Sequence, residues 1–74
     1  MSRPGEAELA KRFGKNLSEV MASLEMNQSE LAKRTRLTQA AISQIISGQR
    51  EPLLSTVIKI LEVIPCPFER LVRK

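Results

Sequence analysis

The residues best placed to do chemistry in this 74-residue chain are a run of small and amide side chains: Thr38, Gln39, Ala40, Ser43, Gln44 and Ser47. At helical spacing they form one outward face, and none of them carries a charge. A helix face that only meets solvent usually carries Glu and Lys. A Gln amide offers a donor beside an acceptor, the pattern that matches N6 and N7 of adenine. An Ala methyl fits against the methyl of thymine. Such a face can enter the major groove of duplex DNA without repelling phosphates. It also suits a low-charge surface or a contact with another protein.

Little else in the chain points to reactivity. There is no His, so the commonest general base and metal ligand is missing. The single Cys66 excludes an internal disulfide and a Cys-based zinc site. No nucleophile is paired with a base. These absences lead us to expect no enzyme activity, no catalytic residue, no metal, no cofactor and no small-molecule ligand. Twelve Lys and Arg stand against eight Glu, giving a net charge of +4. That balance suits an anionic partner such as nucleic acid. No apolar run reaches the roughly 18 residues of a membrane span, and Met1–Glu6 lacks the apolar stretch of a signal peptide. We therefore expect a cytoplasmic protein.

The elements that must carry the polar face follow from periodicity. A chain this short buries only roughly 60% of the surface it exposes when unfolded, so its core is small. Apolar residues make up 42% of it, and Phe13 and Phe68 are the only aromatics, so aliphatic side chains must fill that core. Leu9, Phe13, Leu17, Val20 and Leu24 fall on one helical stripe. Gly14 sits inside this helix at a cost of roughly 1 kcal/mol against Ala, and its missing Cβ leaves room for another backbone. Asn27, with Glu30 three residues on, marks the start of a second helix. Thr38 caps a third, which carries Ile42 and Ile45 inward and stops at Ser47-Gly48.

Only Thr35, Arg36 and Leu37 separate the second and third helices on this reading. Three residues cannot fully reverse the chain, so the two helices cross steeply. The crossing needs a small residue, supplied by Ala32, with Ile42 filling the gap and Leu31, Leu37 and Ile45 tying the unit to the rest. A fourth helix runs from Leu53 or Leu54 to Ile64, with Leu54, Val57, Ile58, Leu61 and Ile64 as core candidates. Pro65 stops it. Pro67 suits the first position of a short final helix, Phe68 to about Arg73. The expected fold is all-α, with five helices.

Two short helices joined by a tight turn in a small basic chain make a helix-turn-helix. At this point the chain resembles the Cro/C1-type, or Xre-like, helix-turn-helix family, which includes phage repressors and Cro proteins. Phe13-Gly14-Lys15-Asn16-Leu17 is similar to the start of that family's first helix, and Gln28 with Glu30-Leu31-Ala32 to its second. Ser43-Gln44 and Ser47-Gly48-Gln49-Arg50-Glu51-Pro52 are similar to its third helix and exit loop, and Phe68-Glu69-Arg70-Leu71 to its final helix. The resemblance implies a compact, lambda-repressor-like DNA-binding domain over residues 1–74. Its helix-turn-helix would span about 28–47, with an N-terminal arm over about 1–6 from which Arg3 reaches DNA.

It further implies roles. Gln39, Ala40 and Gln44 would face base edges. Gln28 would meet a phosphate at a helix start and brace Gln39. Thr38, Ser43, Gln49 and Arg50 would touch the DNA backbone. Phe68, Leu71 and Val72 would form a homodimer interface, because one recognition helix reads too few base pairs alone.

The chain departs from the family's pattern at several positions. Arg36 replaces a usual turn Gly, which places a side chain where positive φ is expected. Met21 replaces a phosphate-contacting Arg, Leu53 a polar cap and Pro65 a terminal Gly. Ile46 is more apolar than usual and is expected on the fourth helix or near a subunit contact.

The function implied is a sequence-specific transcription regulator, a small phage-type repressor or Cro-like protein binding a palindromic DNA operator as a homodimer. A restriction-modification controller or an antitoxin-type regulator would share the same residues. A helical protein-interaction module without DNA binding is the alternative from another class. With 74 residues, no ligand domain is expected.

Overall fold

A computed structural model of the protein describes residues 4–74, with side chains from residue 8 onward. Its elements are α1 (Pro4–Ser23), α2 (Gln28–Thr35), α3 (Gln39–Ile46), α4 (Leu54–Val63) and α5 (Phe68–Val72). Among the described residues every element is helical, as the periodicity predicts. The backbone is already helical at Pro4, so residues 4–6 of the expected arm belong to α1. Arg3 lies outside the described residues.

The first helix is the hub, packing against α3 on one side and α5 on another, while α2 packs against α3 and α4. Phe13, Leu17 and Val20 are buried as their spacing requires, joined by Ala10 and Met21. Leu24 is the exception. It belongs to the turn that ends α1, where the Met26 amide donates to the Met21 carbonyl and Glu25 takes a left-handed φ of 55°. That turn swings Leu24 out of the stripe and leaves it exposed.

A close backbone approach explains Gly14. A Cβ added there would lie 2.5 Å from the Ile46 carbonyl oxygen, nearer still to that of Ile45, and 2.9 Å from the Ile46 carbonyl carbon. The last turn of α3 therefore rests directly on the backbone of α1. Hydrogen bonds hold α5 to the same helix. Asn16, buried, donates through Nδ2 to the Leu71 carbonyl at 3.0 Å and to the Arg73 carbonyl at 2.9 Å. These are carbonyls that a helix end leaves without internal partners. Arg70 adds an ion pair with Glu19 at 3.3 Å. A helix of one turn has no stability of its own, so α5 persists through these bonds and through Leu71, which is fully buried.

The α2–α3 connection differs by one residue from the expected turn. Thr35 is the last residue of α2, buried, and its hydroxyl donates to the Leu31 carbonyl at 2.7 Å. The link is Arg36, Leu37 and Thr38. Arg36 adopts φ 62° and ψ 29°, the left-handed conformation foreseen where a Gly is usual, and the Leu37 amide donates back to the Ala32 carbonyl at 3.0 Å. Ala32, Leu31, Ile42 and Ile45 then join one core, with half-buried Leu37 packed on its edge.

The fourth helix corrects the expected core. Its buried residues are Val57 and Ile60, followed by the buried C-cap Ile64, with Leu61 partly buried, whereas Leu54 is 75% exposed and Ile58 53% exposed. The helix is apolar on two neighbouring stripes, and the packing against α2 selects the one through Ile60. Leu53 is its N-cap without a side-chain hydrogen bond. Pro67 is likewise the cap of α5 rather than its first helical residue. Cys66 is half-buried against the core. Burial pushes its thiol above the usual range, with the nearby Arg70 charge opposing the rise.

Two stability measurements check these contacts. Gly14→Ala forces α1 and α3 apart. The overpacking, about 1–3 kcal/mol, outweighs the roughly 1 kcal/mol that Ala gains as a helix former, so the urea midpoint falls. Arg36→Gly relieves the left-handed backbone at an exposed position, and the same midpoint rises by up to about 1 kcal/mol in stability terms.

Candidate nucleic-acid interface

The recognition face is built by two capped helix starts. Asn27 accepts the Glu30 amide on Oδ1 at 2.8 Å and opens α2. The Glu30 carboxylate extends along α2 to Arg34, 3.6 Å away. Thr38 accepts the Ala41 amide on Oγ1 at 3.0 Å and opens α3. The left-handed Arg36 turns the chain just before this cap, and the first turn of α3 leaves Gln39 and Ala40 exposed. Ile42 and Ile45 are buried beneath, and Ala41 is half-buried at the side.

What remains outward is the uncharged set. Thr38, Gln39, Ala40, Ser43, Gln44 and Ser47 are all exposed. Thr38 spends a hydroxyl lone pair on the cap, and the Ser47 hydroxyl donates to the Gln44 carbonyl at 3.1 Å. The helix ends as its sequence predicts: Gly48 takes φ 80°, and the Gln49 amide donates back to the Gln44 carbonyl at 3.0 Å. Gln49 and Arg50 follow as exposed loop residues. Gln28, the first residue of α2, is half-buried and lines a shallow depression with Ser18, Met21, Ala22 and Ile46. Base-facing and backbone-facing candidates therefore occupy α3, the start of α2 and the loop after α3.

Two of the departures noted in the sequence prove to be neighbours. Met21 is buried and Ile46 half-buried, and both line that same depression. Ile46 lines that depression with residues of α1 and the start of α2, and also packs against the common core. Where a polar pair would have to be desolvated, two apolar side chains meet at no electrostatic cost.

The residues expected at a subunit contact separate. Leu71 has no exposed surface; it closes the protomer's own core and offers nothing to a partner. Phe68 is 46% exposed and Val72 half-buried. With Leu54, Pro52 and Leu9 they line an open apolar cleft between α1, α4 and α5. The sequence reading missed Leu54 and Ile58 as surface residues because it assigned both to the core. It also passed over Lys11, whose aliphatic stem lies against Gly48. A Cβ on Gly48 would come within 2.8 Å of the Lys11 Cγ. Only its place on the polar side of α1 was available as a signal.

No helix among the described residues is long and apolar enough to cross a membrane. The family model described as helix-turn-helix matches residues 17–71, from the middle of α1 through α5. No curated protein matches the chain. The match covers most of the chain, which belongs to the Cro/C1-type helix-turn-helix family of DNA-binding transcription regulators.

Proposed function

We propose that this Cro/C1-type protein is a sequence-specific regulator that binds a palindromic operator as a homodimer in the cytoplasm, acting as a small phage-type repressor or Cro-like protein. One observation carries the reading: the exposed face of α3 is uncharged and rich in amides, and it lies between Gln28 and the Gln49–Arg50 loop. Gln39, Ala40 and Gln44 read base edges in the major groove, with A·T pairs favoured by amide and methyl chemistry. Gln28, Thr38, Ser43, Gln49 and Arg50 hold the sugar-phosphate backbone and fix the register. Residues 1–74 act as one binding domain, with Arg3 in a short arm. A restriction-modification controller or antitoxin-type regulator would use the same contacts and differ in what it regulates.

A second copy is required because one short helix spans only a few base pairs. Two copies on a two-fold operator place half-site centres about 34–36 Å apart when they lie one helical turn apart. The protomer surface that supports the contact is the apolar one: Leu53, Leu54 and Ile58 on α4 with Phe68 and Val72 on α5. This revises the expected interface, since Leu71 is withdrawn from it.

Selection of bound DNA from a random pool tests the reading, and paired mutants test the division of roles. Gln44→Ala costs roughly 1–3 kcal/mol and relaxes the selected preference at one base position. Arg50→Ala weakens binding to every sequence and flattens the salt dependence, leaving base preference intact. Reversal of these two signatures overturns the assignment. A pool from which nothing is enriched, with binding insensitive to salt, favours the protein-interaction module instead. Sedimentation with the selected operator checks the dimer: two protomers per full site are expected, and one at saturation contradicts it.

A further inference from the structure

We infer that Met26 is a reversible oxidation site through which a peroxide weakens the protein's hold on its operator; the effect on DNA rests on the regulator reading above. Met26 stands immediately before Asn27, the cap of α2. An apolar residue at that position packs against the fourth residue of the helix and fixes the angle at which the chain enters it. In α2 the fourth residue is Leu31, which is fully buried, and Met26 packs against the core cluster to which Leu31 belongs. The backbone is fastened at the same point. The Met26 amide donates to the Met21 carbonyl at 2.9 Å, just after Glu25 takes its left-handed φ of 55°. Gln28 follows the cap directly. The start of α2, and with it the presentation of Gln28, thus depends on one thioether.

That thioether is within reach of a small oxidant. Met26 is half-buried, and it lines the open depression shared with Asn27, Gln28 and Ile46. The other described sulfurs are less available. Met21 lines the same depression but is only 3% exposed. Cys66 is half-buried before α5, and burial keeps its thiol protonated, whereas the thiolate is the reactive form. Met1 lies outside the described residues.

The step balances with hydrogen peroxide or an organic peroxide as the co-reactant. The Met26 sulfur attacks one peroxide oxygen; an S–O bond forms as the O–O bond breaks. With hydrogen peroxide, the displaced hydroxide takes up the proton from the new S–OH group and leaves as water. The sulfur is oxidised by two electrons and the peroxide is reduced by two. The product is a sulfoxide, polar where the thioether was apolar. Its oxygen is costly to bury without a hydrogen-bond donor, and the cluster that Met26 packs against is hydrophobic. Oxidised Met26 leaves that cluster and releases the entry of α2. Sulfoxide reductases restore the thioether, which makes the change a switch.

The probe is hydrogen peroxide, applied to the folded wild-type chain, with affinity read on the operator selected for that chain. The tryptic peptide Asn16–Lys33 holds both Met21 and Met26, and its fragmentation shows one added oxygen on Met26 ahead of Met21. Operator affinity falls about tenfold, a step of the size that one helix start is worth, and the urea midpoint falls with it. Methionine sulfoxide reductases return both to their starting values. Met26→Leu keeps an apolar side chain with no oxidisable atom, so its affinity and midpoint are the same before and after treatment; Met26→Ile repeats the test if Met26→Leu folds poorly. Met21→Leu and Cys66→Ser stay as sensitive as the wild type.

Absence of oxygen on Met26 overturns the inference, as does a fully oxidised Met26 with unchanged operator affinity. An equal loss in treated Met26→Leu, or protection by Met21→Leu or Cys66→Ser, also overturns it, because another sulfur would then be responsible. None of these results touches the regulator reading. A wild-type chain that enriches no DNA overturns that reading and the effect on the operator with it. The oxidation site itself then stands or falls on the urea midpoint, which drops in the treated wild type and holds in treated Met26→Leu.

Discussion

The contact on which the rest of the molecule depends is the seating of the last turn of α3 on Gly14. Two backbones meet there without a side chain between them. That contact fixes the C-terminal end of α3, while the turn through Arg36 and the cap at Thr38 fix its beginning. A helix of eight residues held at both ends has little freedom to rotate. Its amide face is therefore held in one orientation, which is what the proposed entry into a groove would use. Ala32 serves the crossing with α2 in the same way, where a small residue permits close approach and Ile42 fills the remaining space.

Around this centre the molecule manages with little apolar volume. The fully buried side chains come from all five helices, and the last of them, Leu71, is delivered by a helix of five residues. Asn16 makes that delivery possible, because its amide satisfies two carbonyls that the end of α5 leaves without internal partners. A buried polar group is costly unless it is bonded, and here both donors of one amide are used. What the core cannot absorb is displayed: Leu54 and Ile58 of α4 and Phe68 of α5 are exposed, and Leu54 shares a cleft with Phe68. Exposed apolar area of this kind on a small protein commonly marks a surface that meets another molecule.

The features written locally were the ones legible in the chain. Asn27 and Thr38 announce helix starts because capping uses only residues within one turn, and both caps are made. Gly48 and Arg36 take the left-handed conformations their positions require. The amide face was legible for a related reason: absence of charge along one helix is visible without its neighbours. The features that failed were relational. Leu54, Val57, Ile58, Ile60, Leu61 and Ile64 offer more than one helical stripe, and only contact with α2 decides which faces inward. Leu71 could not be told from a surface residue until Asn16 was found holding its helix. Lys11 looked like any solvated lysine, since its meaning comes from Gly48, distant in sequence and adjacent in space.

The makeup of the reading face has a consequence for acidity. Thr38, Gln39, Ala40, Ser43 and Gln44 contain no ionisable side chain, and the chain contains no His at all. The one thiol, Cys66, is pushed upward by burial and sits at the other end of the protein's chain, before α5. Histidine is the group through which most proteins register changes between pH 5 and 8. A face made only of amides, hydroxyls and methyls presents the same donors and acceptors throughout that interval. Such a face is therefore deaf to protons, and acidification or recovery across that interval leaves the pattern it offers unaltered.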